Sequence, residues 1–220
     1  LIVGAIGGST LLLGNLTSFY VVMALVALFW MALVGMADDW LKLTADARAR
    51  EEEARAAAAA PADGGREAPV KKTSSRRQGL YSWEKLLFQL GLGVILSYFT
   101  FWKGQEIPES HTLYFPFFKS WSIELGLIGF IILGTVVLTG TSNAVNLTDG
   151  LDGLAAGCTA IVGFTLFILS LLVGHSYLAN FFLLTHVEAA GEMAVLAGSI
   201  TGACLGFLWF NCHPAKVFMG

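Results

Sequence analysis

Apolar and polar positions fall into long blocks along the chain, with neither strict alternation nor a one-sided helical stripe. Apolar runs occupy residues 18–37, 86–102, 122–141, 154–174 and 193–212. Each approaches the roughly 20 residues that a helix needs to cross a bilayer. Residues 1–13 read as the tail of a sixth run. Residues 176–190 are apolar in part but carry His186 and Glu188, which predicts a short interfacial or outer helix. The connections are a tight turn at 14–18, a long polar segment at 38–85, a stretch at 103–121 and a short Gly-rich link at 142–153. Residues 213–220 follow the last run. The 103–121 stretch contains Pro108 and Pro116 and alternates enough to form a small β-hairpin. The predicted class is an all-α polytopic membrane protein with about six transmembrane helices and a small outer hairpin.

Composition agrees with that reading. The 220 residues are 55% hydrophobic and only 13% charged, with a mean hydropathy of +0.69. Soluble domains carry about a quarter charged residues. A net charge of −3, with no aromatic-studded basic stretch, argues against a nucleic-acid partner. Ten of the thirteen Lys and Arg residues lie in 38–85, so the positive-inside rule assigns that segment to the cytoplasm. Alternation then brings 142–153 and 213–220 to the same face. Within the long segment, Ala-rich 45–60 favours helix, and 61–78, with Pro61, Gly64, Gly65 and Pro69, reads as flexible linker. Its basic stretch, Lys71 to Arg77, suits anionic lipid headgroups. Cys158, Cys204 and Cys212 have no metal-ligand spacing and read as small apolar residues. The chain starts inside an apolar run at Leu1 and stops at Gly220 just after a motif, so both ends read as internal to a longer protein.

Three stretches carry candidate chemistry. The first is Asp38 and Asp39, followed by Lys42, where an apolar run reaches polar sequence. Adjacent carboxylates repel and call for a cation, and Lys42 lies one turn from Asp38. The bland alternative is a hydrated stop signal. The second is NAVNLTDGLDGLA at 143–155. Asp149 and Asp152, three apart, would share a face at the start of a helix, with capping as the structural alternative. Capping leaves Gly150, Gly153, Asn143 and Asn146 unexplained. Glycines that admit a ligand to a helix N-terminus would explain the set, because that end attracts phosphate. The third is FLWFNCHPAKVFMG at 207–220, in which Asn211 stands at a helix end. His213 reads as interfacial, and His111, His175 and His186 fall on the outer side with no catalytic role.

Together these stretches resemble the polyprenyl-phosphate N-acetylhexosamine-1-phosphate transferase superfamily. Residues 143–155 match its pattern without a break, and 207–220 resemble its FLWFNxxPAxVFMG segment. Gly79, Leu80 and Lys85 resemble its second cytoplasmic basic motif, and Pro116 to Lys119 its outer hairpin. The resemblance covers most of the chain except 45–75. Trp83 stands where the superfamily often has Arg. The resemblance implies a single membrane-embedded transferase domain over 1–220, part of about ten helices, with 45–78 as a cytoplasmic insertion. It implies residence in the bacterial cytoplasmic membrane with the site facing the cytoplasm. The implied reaction is attack of a lipid phosphate on a UDP-sugar, releasing UMP. Asp38 or Asp39 would position or deprotonate the lipid phosphate, and Lys42 and Lys85 would bind phosphates. Asn143, Asp149, Asp152 and Asn211 would bind substrate and line the nucleotide pocket. Asn146 would be a ligand to Mg2+, beside an aspartate that directly follows the FMG of related sequences. Without that residue, 1–220 alone is expected to be inactive.

Within that resemblance, the wording of the second and third motifs favours UDP-MurNAc-pentapeptide as donor, with UDP-N-acetylglucosamine as the alternative, and the resemblance implies undecaprenyl phosphate as the acceptor. The superfamily is often dimeric, so a homodimer is a further expectation, though no interface is legible. A transporter would place ionisable residues near the midplane, whereas here the acids gather at one face. A non-catalytic scaffold, its aspartates kept for capping, is the third reading.

Overall fold

The computed structural model describes residues 1–59, 79–105, 107, 110–115 and 118–217, without the side chains of 53, 56–59, 119 and 120. The linker 61–78 with its basic stretch, Pro108, Pro116, Phe117 and residues 218–220 lie outside the described residues. Among the described residues seven helices and one hairpin follow in order: α1 (Ile2–Leu13), α2 (Phe19–Ala59), α3 (Ser82–Gly104), β1 (Thr112–Phe115), β2 (Phe118–Glu124), α4 (Leu127–Thr148), α5 (Leu154–Gly174), α6 (Ser176–Phe181) and α7 (Ala190–Asn211).

Five of these helices, α2, α3, α4, α5 and α7, are long and apolar enough to cross a membrane. Only 6–22% of their apolar windows is buried within the protein, so most of the apolar surface needs lipid around it. The chain is a polytopic membrane protein. α1, at 12 residues, is shorter than a span.

Where the structure departs from the sequence reading, local chemistry accounts for it. α2 runs unbroken through the charged region to Ala59, because no Gly or Pro occurs between Gly35 and Pro61. The aspartate pair therefore lies inside a helix and not at its C-terminal end. α4 begins at Leu127, later than expected, because β2 takes residues up to Glu124 in pairing with β1. It continues to Thr148, well past the expected end. The polar residues of that last stretch bond back to the preceding turn: Thr141 Oγ1 to Val137 O (2.7 Å), Asn143 Nδ2 to Thr139 O (2.8 Å) and Thr148 Oγ1 to Ala144 O (2.8 Å). Such back-bonding lets polar side chains sit in a helix. The outer helix of 176–190 reduces to α6, after which Leu183 adopts a left-handed conformation (φ 56°).

Contacts divide the chain into two units, residues Leu1–Trp30 with Gln89–Gly220, and Met31–Phe88. In the first, α5 and α7 pack through small residues: Ala155, Ala156 and Ala160 on α5, Ala194, Ala197 and Cys204 on α7. Small side chains allow close helix approach where lipid supplies no hydrophobic drive.

Candidate functional site

The unit Met31–Phe88 holds an acid–lysine cluster. Asp38, with its side chain 8% exposed, accepts at Oδ2 from Lys42 Nζ at 2.8 Å and from Lys85 Nζ at 2.7 Å. Its other oxygen accepts the backbone N–H of Leu80 at 2.8 Å. Both oxygens are engaged, and each lysine, 50% and 41% exposed, keeps N–H groups for another partner. Asp39 differs. Its side chain is 63% exposed, and its ion pair with Lys42 is longer, 3.7 Å. Of the two adjacent carboxylates, one is built into the protein and the other faces outward.

Two local devices place these groups. Asp38 and Lys42 are i and i+4 on α2, in the favourable order of acid before base. Glu84 accepts the N–H of Tyr81 at 2.9 Å, fixing the first turn of α3 in the manner of a capping box and so setting where Lys85 stands. Gly79 closes the arrangement. Its φ of 141° disfavours any other residue, and a Cβ there would lie 2.8 Å from Asp38 Oδ1. The resemblance flagged Gly79 and Leu80. Leu80 supplies a backbone donor to Asp38 and Gly79 the close approach beside it, roles that residue type alone could not reveal.

The other unit holds the NAVNLTDGLDGLA and FLWFNCHPA stretches. Asp149 is the C-cap residue of α4 and Gly153, in the left-handed region (φ 77°), the N-cap of α5. The two aspartates thus belong to a tight turn between helices and not to the start of one, and neither caps α5 by a side-chain bond. The N–H of Gly153 donates to Asn211 Oδ1 at 3.1 Å, and Asn211 Nδ2 donates to Val217 O at 2.8 Å. Asn211 is buried, 6% exposed, with its amide engaged at both ends. Asp152 Oδ2 accepts the N–H of Ala215 at 3.2 Å, with His213 Nδ1 also at 3.2 Å. The α4–α5 turn and the segment after α7 are in this way tied into one piece.

Asn146 and Asp149 are exposed, and their side chains have no hydrogen-bond partner among the described residues. Asn143, also exposed, is held by Gln89 of α3 at 2.9 Å. Gln89 and Ser142 escaped the sequence reading because they stand outside the recognisable motifs. Two of the remaining histidines are used locally: His111 Nε2 lies 2.9 Å from Phe101 O, and His186 Nδ1 lies 3.0 Å from Val173 O. Among the described residues no group of three or more His, Cys, Asp or Glu side chains could hold a metal ion. Mg2+ commonly keeps several waters and takes one or two protein oxygens together with phosphates. The free oxygens of Asn146 and Asp149 suit such a sparse shell.

The chain is 37% identical over 221 residues to the phospho-N-acetylmuramoyl-pentapeptide-transferase of Desulforapulum autotrophicum, covering 100% of this chain and 52% of the relative. It is 34% identical over 212 residues to the protein of the same name from Thermodesulfovibrio yellowstonii, covering 96% and 50%. Against that of Neisseria meningitidis it is 36% identical over 220 residues, covering 100% and 53%. The chain spans about half the length of the curated relatives it matches. Residues 77–220 match the profile of glycosyl transferase family 4, a stretch that includes Gly79, Lys85 and both motifs of the α4–α5 turn and the α7 end. The chain belongs to glycosyl transferase family 4.

Proposed function

We propose that the protein transfers phospho-N-acetylmuramoyl-pentapeptide from its UDP donor to undecaprenyl phosphate, giving the lipid-linked sugar and UMP. The observation that carries this reading is the pair of lysine ammonium groups gathered on buried Asp38 beside exposed Asp39. Both reactants are anions, so catalysis of phosphoryl transfer consists mainly of positioning and charge neutralisation. Lys42 and Lys85 bind phosphate oxygens with their remaining N–H groups. Asp39 receives or orients the lipid phosphate, while Asp38 holds the lysines. The turn containing Asp149 and Asp152, braced by Asn211, contacts the nucleotide-sugar.

Asn146 would hold Mg2+, with Asp149 close in sequence as a second oxygen, and the ion would supply charge neutralisation for the phosphates. The positive-inside bias supports a cytoplasmic site in the bacterial inner membrane. The names of the relatives support the muramoyl donor, and the whole chain acts as one membrane-embedded domain.

The test is UMP release by the full-length protein, purified in detergent with Mg2+ and undecaprenyl phosphate. Release with UDP-MurNAc-pentapeptide and not with UDP-N-acetylglucosamine is expected. Release only with the latter would move the protein to the other branch of the superfamily. Flux across vesicles without UMP release would overturn the enzyme reading.

A further inference from the structure

Gln89 lies on α3, only 9% exposed, in a helix of mostly apolar residues. A buried amide in such surroundings needs partners on both its oxygen and its nitrogen side. Gln89 finds them on α4: its Nε2 donates to Ser142 Oγ at 3.1 Å and its Oε1 accepts from Asn143 Nδ2 at 2.9 Å.

The orientation of every amide in this network follows from one backbone atom. Asn143 faces Thr139 O at 2.8 Å, and a carbonyl oxygen only accepts, so the Asn143 atom there is its nitrogen. The second proton of that nitrogen then requires an oxygen on Gln89, which turns the Gln89 nitrogen to the Ser142 hydroxyl. Both amide protons of Asn143 are thereby consumed inside the protein. Its Oδ1 has no partner among the described residues, and the residue is exposed.

We propose that Gln89 is a positioning residue that locks the Asn143 amide so that it presents an acceptor, and only an acceptor, to the donor substrate. The inference rests on the transfer reading above and deepens it. An amide offering oxygen alone does not suit phosphate oxygens, which themselves accept. It suits hydroxyl or amide N–H groups, such as those of an N-acetylated sugar or a nucleobase. Asn143 therefore reads the sugar or base portion of the UDP-sugar and not its diphosphate, and Gln89 sets that preference without touching the ligand.

The experiment is steady-state kinetics of UMP release by the full-length enzyme carrying Gln89→Leu, Gln89→Glu, Asn143→Ala and the Gln89→Leu/Asn143→Ala pair. Gln89→Leu is expected to raise KM for the UDP-sugar about tenfold, the scale of one weakened hydrogen bond, while KM for undecaprenyl phosphate stays put. Gln89→Glu keeps an acceptor for Asn143 Nδ2 and should recover most of the loss. The double variant should be no worse than Asn143→Ala alone, because the two residues act as one unit. Unchanged donor KM in Gln89→Leu, or losses that add in the pair, would overturn the proposal while leaving the transfer reading intact. If Gln89→Leu does not fold, Asn143→Ala alone must raise the donor KM and Gln89→Glu must not; the reverse pattern overturns the proposal. A wild-type enzyme that releases no UMP from any UDP-sugar overturns the transfer reading, and this inference with it.

Discussion

Lys42 of α2 and Lys85 of α3 meet on the same atom, Oδ2 of Asp38, at 2.8 and 2.7 Å. One carboxylate thus draws together two ammonium groups that are far apart in sequence, and its other oxygen pins the turn that leads into α3. Among the described residues Asp39, the next residue, makes only a 3.7 Å approach to Lys42. Adjacent residues of the same type consequently do separable jobs, and mutation should separate them.

Asp39→Asn is expected to lower the rate of transfer more than tenfold while leaving the melting temperature in detergent unchanged, because the side chain is exposed and makes one long contact. Asp38→Ala should destabilise by about 1.5–3 kcal/mol, the range for lost hydrogen bonds to a charged group, and lower activity through the displaced lysines. Thermal melting and UMP release measured on both variants check the pair. Retention of more than a tenth of the rate by Asp39→Asn contradicts a transition-state role.

Gly79→Ala tests the backbone of the same cluster. A methyl group at φ 141° and 2.8 Å from Asp38 Oδ1 should cost about 1–3 kcal/mol and loosen the Leu80 N–H contact. Hydrogen exchange of the Leu80 amide should speed up. A variant with wild-type melting and exchange would show that this turn is not under the constraint described.

Asn211→Leu keeps the volume and deletes both bonds of the amide. The Gly153 N–H would lose its acceptor and the Val217 carbonyl, on an exposed residue, its donor, at about 1 kcal/mol, the size of an ordinary hydrogen bond where water partly replaces the lost partner. The expected result is a lower melting temperature together with weaker binding of UMP, read by calorimetry. Loss of UMP binding with no change in melting would make Asn211 a ligand contact and not a brace.

Asn146→Ala should raise the Mg2+ concentration needed for half-maximal activity several-fold, with maximal rate partly restored at high Mg2+. Electron paramagnetic resonance of bound Mn2+ gives a second readout independent of turnover. An unchanged metal requirement removes Asn146 from the metal shell.

Much of the architecture can be read from the apolar runs because lipid imposes a length on them. α5 occupies Leu154–Gly174, the run expected, since Gly153 and His175 bound an uninterrupted apolar stretch. α4 was less legible, since helical back-bonding by Thr141, Asn143 and Thr148 and strand pairing up to Glu124 both act through partners that composition does not display. For the candidate site, residue identity pointed to Asp38, Asp39, Lys42, Lys85 and Asn211. It did not reveal that Asp38 and Asn211 are turned inward, or that Gln89, Ser142 and the N–H groups of Leu80 and Ala215 hold their neighbours. Those roles belong to backbone atoms and to residues with no motif of their own, and they emerge only when the helices are paired.

The convergence on Asp38 also bears on how tightly a phosphate can be held. A free lysine loses about 1.5–2 kcal/mol of rotamer freedom when it is immobilised, and that loss ordinarily weakens an incoming anion. Here Lys42 and Lys85 already lie on Asp38 before any anion arrives, so less side-chain disorder remains to be surrendered on ligand capture. Affinity for phosphate at this pair should then depend mainly on desolvation and charge, and its entropy of binding should be more favourable than that of two independent surface lysines.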